Sequence, residues 1–164
     1  MRKSELIRGC HAAIMAVAWF VAGSYVSAAD LTLEEVIVTG TKRDTAQQDL
    51  GVAVTTLTAN QISNTFAAQL DALTELSPNV TLTKQTGFNA VAGGIRGTGN
   101  ISILVTDDAA VGVVVDEFAL NHVQSQFVEL FDVEQVEIFR GPQGTTFGKN
   151  TSAGAINITT KKPI

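Results

Sequence analysis

Beyond position 29 the chain contains no cysteine, no tryptophan and no tyrosine; Cys10, Trp19 and Tyr25 are the only residues of those types and all precede it. Without cysteine, residues 30–164 can form no disulfide and carry no thiol chemistry. Without Trp or Tyr they lack the aromatic girdles of a membrane-spanning barrel, and the many strands of about 10 residues that such a barrel needs are not there either. Any membrane association is therefore expected to come through a partner. Histidine is nearly absent: past residue 29 only His122 remains, and a metal site draws on several His, Cys or carboxylate ligands at suitable spacing. Positive charge is scarce too. The whole chain has 11 Lys and Arg against 16 Asp and Glu. Removing residues 1–29, which hold Arg2, Lys3, Arg8 and Glu5, leaves 8 against 15, a net charge of −7. An acidic chain with no basic patch argues against a nucleic-acid partner. Long apolar runs are also missing. The longest unbroken apolar run, residues 12–22, has 11 residues, short of the ~20 that a spanning helix requires.

That stretch has a different reading. It follows a basic start (Arg2, Lys3, Arg8) and precedes the small residues Ser24, Ser27, Ala28 and Ala29, the order of a secretory signal peptide. Residues 1–29 are assigned to it. Cys10 lies before the apolar stretch, where a lipid-attachment cysteine would not lie. The rest is long enough for one domain, divided into a polar arm over residues 30–50 and a folded part over residues 51–164.

The arm is charged and polar around one apolar island, Glu35-Val36-Ile37-Val38-Thr39-Gly40. Residues 41–49 show neither helical nor strand periodicity and read as a linker. Two readings of the Val36–Val38 triplet stand. A β-branched triplet in a polar arm suits addition of a strand to another protein's sheet edge; equally, it suits a short edge strand of the folded domain itself.

Residues 51–57 alternate and are rich in β formers, which predicts a strand. Thr58 and Gln61 fit a capping box at the start of a short helix carrying Ile62. Leu70, Leu73 and Leu76 predict a second helix over residues 69–76, stopped at Ser77-Pro78. Short strands are expected over residues 80–83 and 90–96. Residues 111–116 (VGVVVD) form a near-continuous apolar run, the mark of a strand buried on both faces. A helical turn is expected over residues 127–131. Residues 134–139 and 155–160 read as strands joined by a glycine-rich link, in which Gly141, Gly144, Gly148 and Gly154 mark positive φ or close backbone approach. Short helices mixed with short strands, without regular alternation, indicate an α+β fold.

No catalytic constellation emerges. Asp107-Asp108 and Asp116-Glu117 are adjacent carboxylate pairs, but neighbours on a strand point to opposite faces, whereas acid–base work needs two carboxyls facing one site. Residues 144–151 (GTTFGKNT) miss the phosphate-loop spacing, because three residues separate Gly144 from Gly148 and Asn150 follows Lys149. Residues 94–99 miss the dinucleotide-binding spacing. Two cations stand out, Arg96 and Arg140, each at the end of an apolar run and each followed by glycine. A guanidinium held at a packed strand end needs a carboxylate or carbonyl partner. That partner lies either within the chain, at Glu134 or Glu137, or across an interface.

Four motifs then fall in order along one chain. Glu35-Val36-Ile37-Val38-Thr39-Gly40 resembles a TonB box. Gly94-Ile95-Arg96-Gly97 resembles the IRG motif of a receptor plug, Val111-Gly112-Val113-Val114-Val115-Asp116 its central strand, and residues 131–163, with RGPQGT and AGAINI, its terminal block. On these motifs the chain resembles the N-terminal plug domain of TonB-dependent outer-membrane receptors. The resemblance implies a small α+β domain with a mixed, roughly four-stranded sheet, flanked by short helices and long loops, that gates energy-coupled uptake through a barrel of about 22 strands. It implies an outer-membrane location in a Gram-negative bacterium, periplasm-facing after signal cleavage, and neither enzyme activity nor a cofactor or metal. TonB would bind Glu35, Val36, Ile37, Val38 and Thr39. Arg96 and Arg140 would face acidic residues of the barrel wall, which tips the choice towards an interface partner. Phe88, Asn89, Asp107 and Asp108 would lie in loops facing a scarce nutrient such as an iron–siderophore complex. Twenty-two strands need roughly 220 residues before loops, so the chain is expected to be a fragment lacking its barrel. The competing expectation is a free-standing periplasmic ligand-binding module of the same fold. One departure stands out: the family usually has glycine after the position of Asp116, and this chain has Glu117.

Overall fold

The computed structural model describes residues 36–43, 45–85, 90–102, 104 and 106–163. The expected signal peptide, Glu35, Phe88 and Asn89 lie outside the described residues. The central layer is a mixed five-stranded sheet of β3 (Ala53–Thr58), β7 (Val111–Val115), β8 (Phe118–Leu120), β9 (Val133–Arg140) and β10 (Gly154–Thr160), in the order β3-β9-β10-β7-β8. Only β7 and β10 run parallel, with Ile156 opposite Val113; the other pairings are antiparallel. The near-continuous apolar runs of β7 and β10 follow from this, since both are interior strands covered on two faces. The sheet thus has one strand more than the expected four. The extra strand is β8, whose three residues are too few to show a periodicity.

Beside it stands a three-stranded antiparallel sheet of β4 (Val80–Gln85), β5 (Ala90–Ile95) and β6 (Thr98–Asn100). Strand alternation sends Val136, Ile138, Ile156, Ile158, Val111 and Val113 to one face of the main sheet. There they pack with Ile62, Leu70, Leu73, Val80, Leu82, Val91 and Ile95 in the principal core. Helix α1 (Ala59–Asn64) starts at Thr58 with the expected capping box: Gln61 N–H donates to the Thr58 hydroxyl, and the Gln61 side-chain oxygen accepts from Thr58 N–H at 3.0 Å. The predicted second helix begins as a 3-10 turn, Leu70–Ala72, and becomes α-helical only over α2 (Leu73–Leu76).

Two expectations are corrected. Residues 127–131 form no helical turn. They run extended beside residues 68–70, with Leu70 N–H donating to Val128 C=O and Leu130 N–H to Ala68 C=O. The turn lies earlier, where Ser125 and Gln126 N–H both donate to His122 C=O. Residues 41–49 are also more than a linker, since they contain β2 (Thr45–Ala46) and a 3-10 turn, Gln47–Asp49. β2 pairs antiparallel with β1 (Ile37–Val38). Of the four marked glycines, Gly141 and Gly148 have positive φ, and Gly154 lies against the Phe139 carbonyl. Gly144 meets neither condition and instead opens the short helix α3 (Gly144–Phe147).

Candidate functional site

The second face of the main sheet is built by the alternate residues Val54 and Thr56 of β3, Gln135, Glu137 and Phe139 of β9, and Ala155 and Asn157 of β10. β1 and the residues after it lie on this face. Val38 is fully buried in a small cluster with Val54, Phe139 and Ala155, flanked by Leu50, Val52 and Phe147. The Phe139 and Phe147 rings meet tilted, with centroids 5.3 Å apart. The arm triplet is therefore an edge strand of the folded domain in this structure, not a free extended segment, although Ile37 stays half exposed.

Beneath the arm sits Glu137, wholly buried in the middle of β9. Its carboxylate gathers donors from three places. Thr39 N–H donates to Oε1 at 2.6 Å and Gly40 N–H to Oε2 at 2.8 Å. Gln135 Nε2 donates to Oε1 at 2.7 Å and Asn157 Nδ2 to Oε2 at 2.9 Å. The Thr39 hydroxyl adds a longer contact of 3.3 Å. No cation pairs with Glu137 among the described residues. A buried carboxylate is tolerable when several N–H groups point at it, and two of these belong to the arm. Gly40 lies so close that a Cβ there would overlap a Glu137 carboxylate oxygen and stand 2.9 Å from the Phe139 ring.

Arg140 ends β9 on the opposite face. Its Nη2 donates to the Thr55 hydroxyl at 2.8 Å, while Nε is buried with no partner. Arg96 occupies the two-residue turn between β5 and β6, with φ +56, followed by Gly97 with φ +75. Its backbone N–H donates to Asn79 C=O at 2.8 Å, and its side chain reaches over the next loop, since a Cβ at Gly141 would lie 3.8 Å from Nη1 of Arg96. The internal salt bridge to Glu134 or Glu137 is not formed. Glu137 faces away from Arg140 and is committed to the arm, and neither arginine has a carboxylate partner among the described residues. The Arg96 guanidinium lies beside Gly141 and that of Arg140 at Thr55, neither with an acid among the described residues.

The third region lies between β6 and β7, at the described residues 101, 102, 104 and 106–110. Asp107 N–H donates to Leu104 C=O, and the Asp108 carboxylate takes Lys149 Nζ at 3.0 Å in an exposed pair. Asp108 C=O also accepts from Asn100 Nδ2 at 3.3 Å. Asp108 therefore ties this loop to the residue 148–151 segment, and an exposed pair of this kind adds little stability. Asp116 and Glu117 form the two-residue turn between β7 and β8, with φ +46 and +71. Asp116 accepts from Thr160 N–H and Oγ1 at 2.9 and 2.7 Å, a structural role. Among the described residues no group of three or more His, Cys, Asp or Glu could hold a metal ion, and no helix is long and apolar enough to cross a membrane.

Sequence reasoning named Glu137 only as one candidate internal partner for the two arginines. Strand parity carried the available signal: Glu137 shares its face with Phe139 and lies on the face opposite Arg140.

The family model of the TonB-dependent receptor plug domain matches residues 46–155. The pesticin receptor of Yersinia pestis is 28% identical over 131 residues, covering 77% of this chain and 19% of that protein. The pesticin receptor of Yersinia enterocolitica is 30% identical over 115 residues, covering 68% and 16%. The chain thus spans about a fifth or less of these relatives' length. The crystal structure of the ferric yersiniabactin uptake receptor FyuA from Yersinia pestis superimposes with a TM-score of 0.61 at 28% identity, over 68% of this chain and 17% of that one. The pyoverdine receptor FpvA from Pseudomonas aeruginosa gives 0.63 at 14% identity, over 78% and 18%, which supports the fold alone.

Proposed function

Since the chain belongs to the TonB-dependent receptor plug-domain family, we propose that it is the gate of an outer-membrane receptor for energy-coupled uptake of a scarce nutrient, with an iron–siderophore complex as the favoured class. The observation that carries this reading is the plug match over residues 46–155, which takes in four strands of the main sheet, the β5–β6 hairpin and the loop bearing Gly141. The named activities of the relatives, uptake of ferric yersiniabactin for FyuA and receipt of catecholate siderophores for the Escherichia coli receptor Fiu, support the ligand class.

In this reading residues 1–29 are removed on export, and Glu35, Val36, Ile37, Val38 and Thr39 are the TonB-binding segment. Main-chain hydrogen bonds made by strand addition give TonB a grip through which force can act. Arg96 and Arg140 face acidic residues of a barrel wall, a role supported by their lack of an acidic partner among the described residues. Phe88, Asn89, Asp107 and Asp108 contribute to loops on the ligand side.

The test is a binding measurement between the protein and the periplasmic domain of TonB. Proline at position 37 removes a ladder N–H from the centre of the segment. Ile37→Pro is expected to weaken binding by up to about tenfold, the cost of one hydrogen bond to strand addition. Equal binding by the variant and the parent chain would remove residues 35–39 from the TonB site.

A further inference from the structure

The loops read as ligand-facing are one-sided in charge. Residues 86–89 and 101–110 contain no Lys or Arg, and their only charges are Asp107 and Asp108. Ala90, Ala109 and Val123 form a small buried cluster, and Val91 N–H donates to Val123 C=O. The start of β5, the approach to β7 and the turn after His122 therefore share one end of the domain. Two lysines border it, and both are committed. Lys149 Nζ lies 3.0 Å from each Asp108 carboxylate oxygen. Lys84 Nζ stands 4.5 Å over the Phe127 ring. The arginines are held elsewhere. Arg140 is bonded to Thr55 on β3, three strands from β7 and so about 14 Å away at the usual strand spacing. Arg96 follows the far end of β5, about 20 Å from Ala90 at the rise of an extended strand. Asp107 is half-buried and accepts from the Thr106 hydroxyl at 3.3 Å, with no cation beside it among the described residues. What this end offers outward is aliphatic: Ile101 is 76% exposed and Leu104 61%.

Resting on the reading of Phe88, Asn89, Asp107 and Asp108 as ligand-side residues, we propose that this domain selects its ligand by charge: it takes a partly apolar metal complex without net negative charge and refuses a polyanionic one, and Asp108 sets the choice by occupying Lys149. The two classes differ plainly. Three hydroxamates on ferric iron give a neutral complex, and three catecholates give a trianion. A trianion arriving here meets Asp107 and Asp108 and finds no uncommitted cation among the described residues; juxtaposed like charges are how a surface rejects a wrong ligand. A neutral complex with a hydrocarbon backbone meets no such opposition and removes Ile101 and Leu104 from water, which is favourable in proportion to the apolar area covered. The Asp108–Lys149 pair fits a selective role better than a structural one. Both side chains are well exposed, at 66% and 75%, and an exposed pair adds little to stability. Its main effect is to cancel the one lysine between Arg140 and Lys161.

Equilibrium dialysis of the full chain against a neutral ferric trihydroxamate and a trianionic ferric tris-catecholate reads the preference directly. The neutral complex is expected to bind at least about tenfold more tightly. Ile101→Ser combined with Leu104→Ser is expected to weaken that binding about tenfold, through the lost apolar cover. Asp108→Asn frees Lys149 at little cost to the fold. It is expected to raise affinity for the trianion about tenfold at an ionic strength of about 0.01 M, and by less at about 0.15 M, with the neutral complex unaffected. Adding Lys149→Gln to Asp108→Asn should cancel the gain. A parent chain that takes the trianion as tightly as the neutral complex overturns the proposal. So does an Asp108→Asn chain whose affinity for the trianion is unchanged. Binding of neither complex puts selection outside this domain and overturns it too. Binding of the TonB periplasmic domain by the same chain still supports the gate reading in that case, so the two fail separately.

Discussion

Glu117 has φ +71 in a turn whose two central residues both need positive φ, the geometry of a two-residue hairpin loop that glycine accepts without strain. A side chain in that region costs roughly 1–2 kcal/mol, partly offset by the extra freedom glycine has when unfolded. Glu117→Gly is therefore expected to stabilise the chain by about 0.5–1 kcal/mol, read as a raised urea midpoint at constant slope. Glu117 is exposed, and among the described residues nothing donates to its carboxylate that would oppose the gain; a lowered midpoint would refute the strain argument. The companion turn, Arg96-Gly97, already has glycine at the equivalent place. At this scale the sequence was partly legible. The missing glycine after Asp116 was visible as a departure, and the positive φ explains it. Glu137 was misread because its neighbours in sequence were weighed before its parity. Residues 135, 137 and 139 share one face, and Arg140 belongs to the other. Glu134 is six residues from Arg140 along an extended strand, about 20 Å at the rise of a β-strand, so it was never within reach.

Elements with local determinants were the readable ones. The Thr58–Gln61 box marks the start of α1 in sequence and in structure, and the apolar run of β7 announced an interior strand. Thr58→Ala removes one side of that box and is expected to cost about 1 kcal/mol in chemical denaturation; no measurable loss would mean that α1 is held by Ile62 packing alone. Residues 127–131 were unreadable for the opposite reason. Their conformation is set by hydrogen bonds to residues 68–70, some sixty positions earlier, which no local period reports. The same holds for β8 and β2, which are too short to carry a pattern and are fixed by their partners, β7 and β1. Gln126 shows how such a segment is anchored. It is buried, and its Nε2 donates to Val111 C=O at 3.1 Å and Leu120 C=O at 3.0 Å, clamping the β7–β8 hairpin. Gln126→Ala leaves both carbonyls short of a donor and is expected to destabilise by about 1–3 kcal/mol. Hydrogen exchange should rise first in β8; protection left intact there would show that the clamp is dispensable.

For the whole molecule, the proposed wall-facing role of Arg140 separates the isolated chain from the assembled receptor. Arg140 makes one bond to the Thr55 hydroxyl and leaves a buried Nε unsatisfied, while Arg96 brings a second guanidinium over the same loop. Within the chain this is a poor solution: a buried Arg140 donor is unpaired, and neither arginine meets an acid among the described residues. Within a receptor, a carboxylate from the surrounding wall would satisfy both. The two settings therefore predict opposite consequences for one substitution. Arg140→Met keeps the length and apolar contacts of the side chain and removes its charge. In the isolated chain it should leave stability within about 1 kcal/mol or raise it, because the loss of one neutral-acceptor bond is offset by relief of the unpaired donor. On the proposed wall contact, it should loosen the plug and change uptake in the assembled receptor, because the wall carboxylate would lose its cation, a loss worth about 3–5 kcal/mol when the pair is buried. Denaturation of the chain and plug retention in the receptor measure the two sides separately. A variant that destabilises the isolated chain by several kcal/mol would place the partner of Arg140 inside the domain and remove it from the interface.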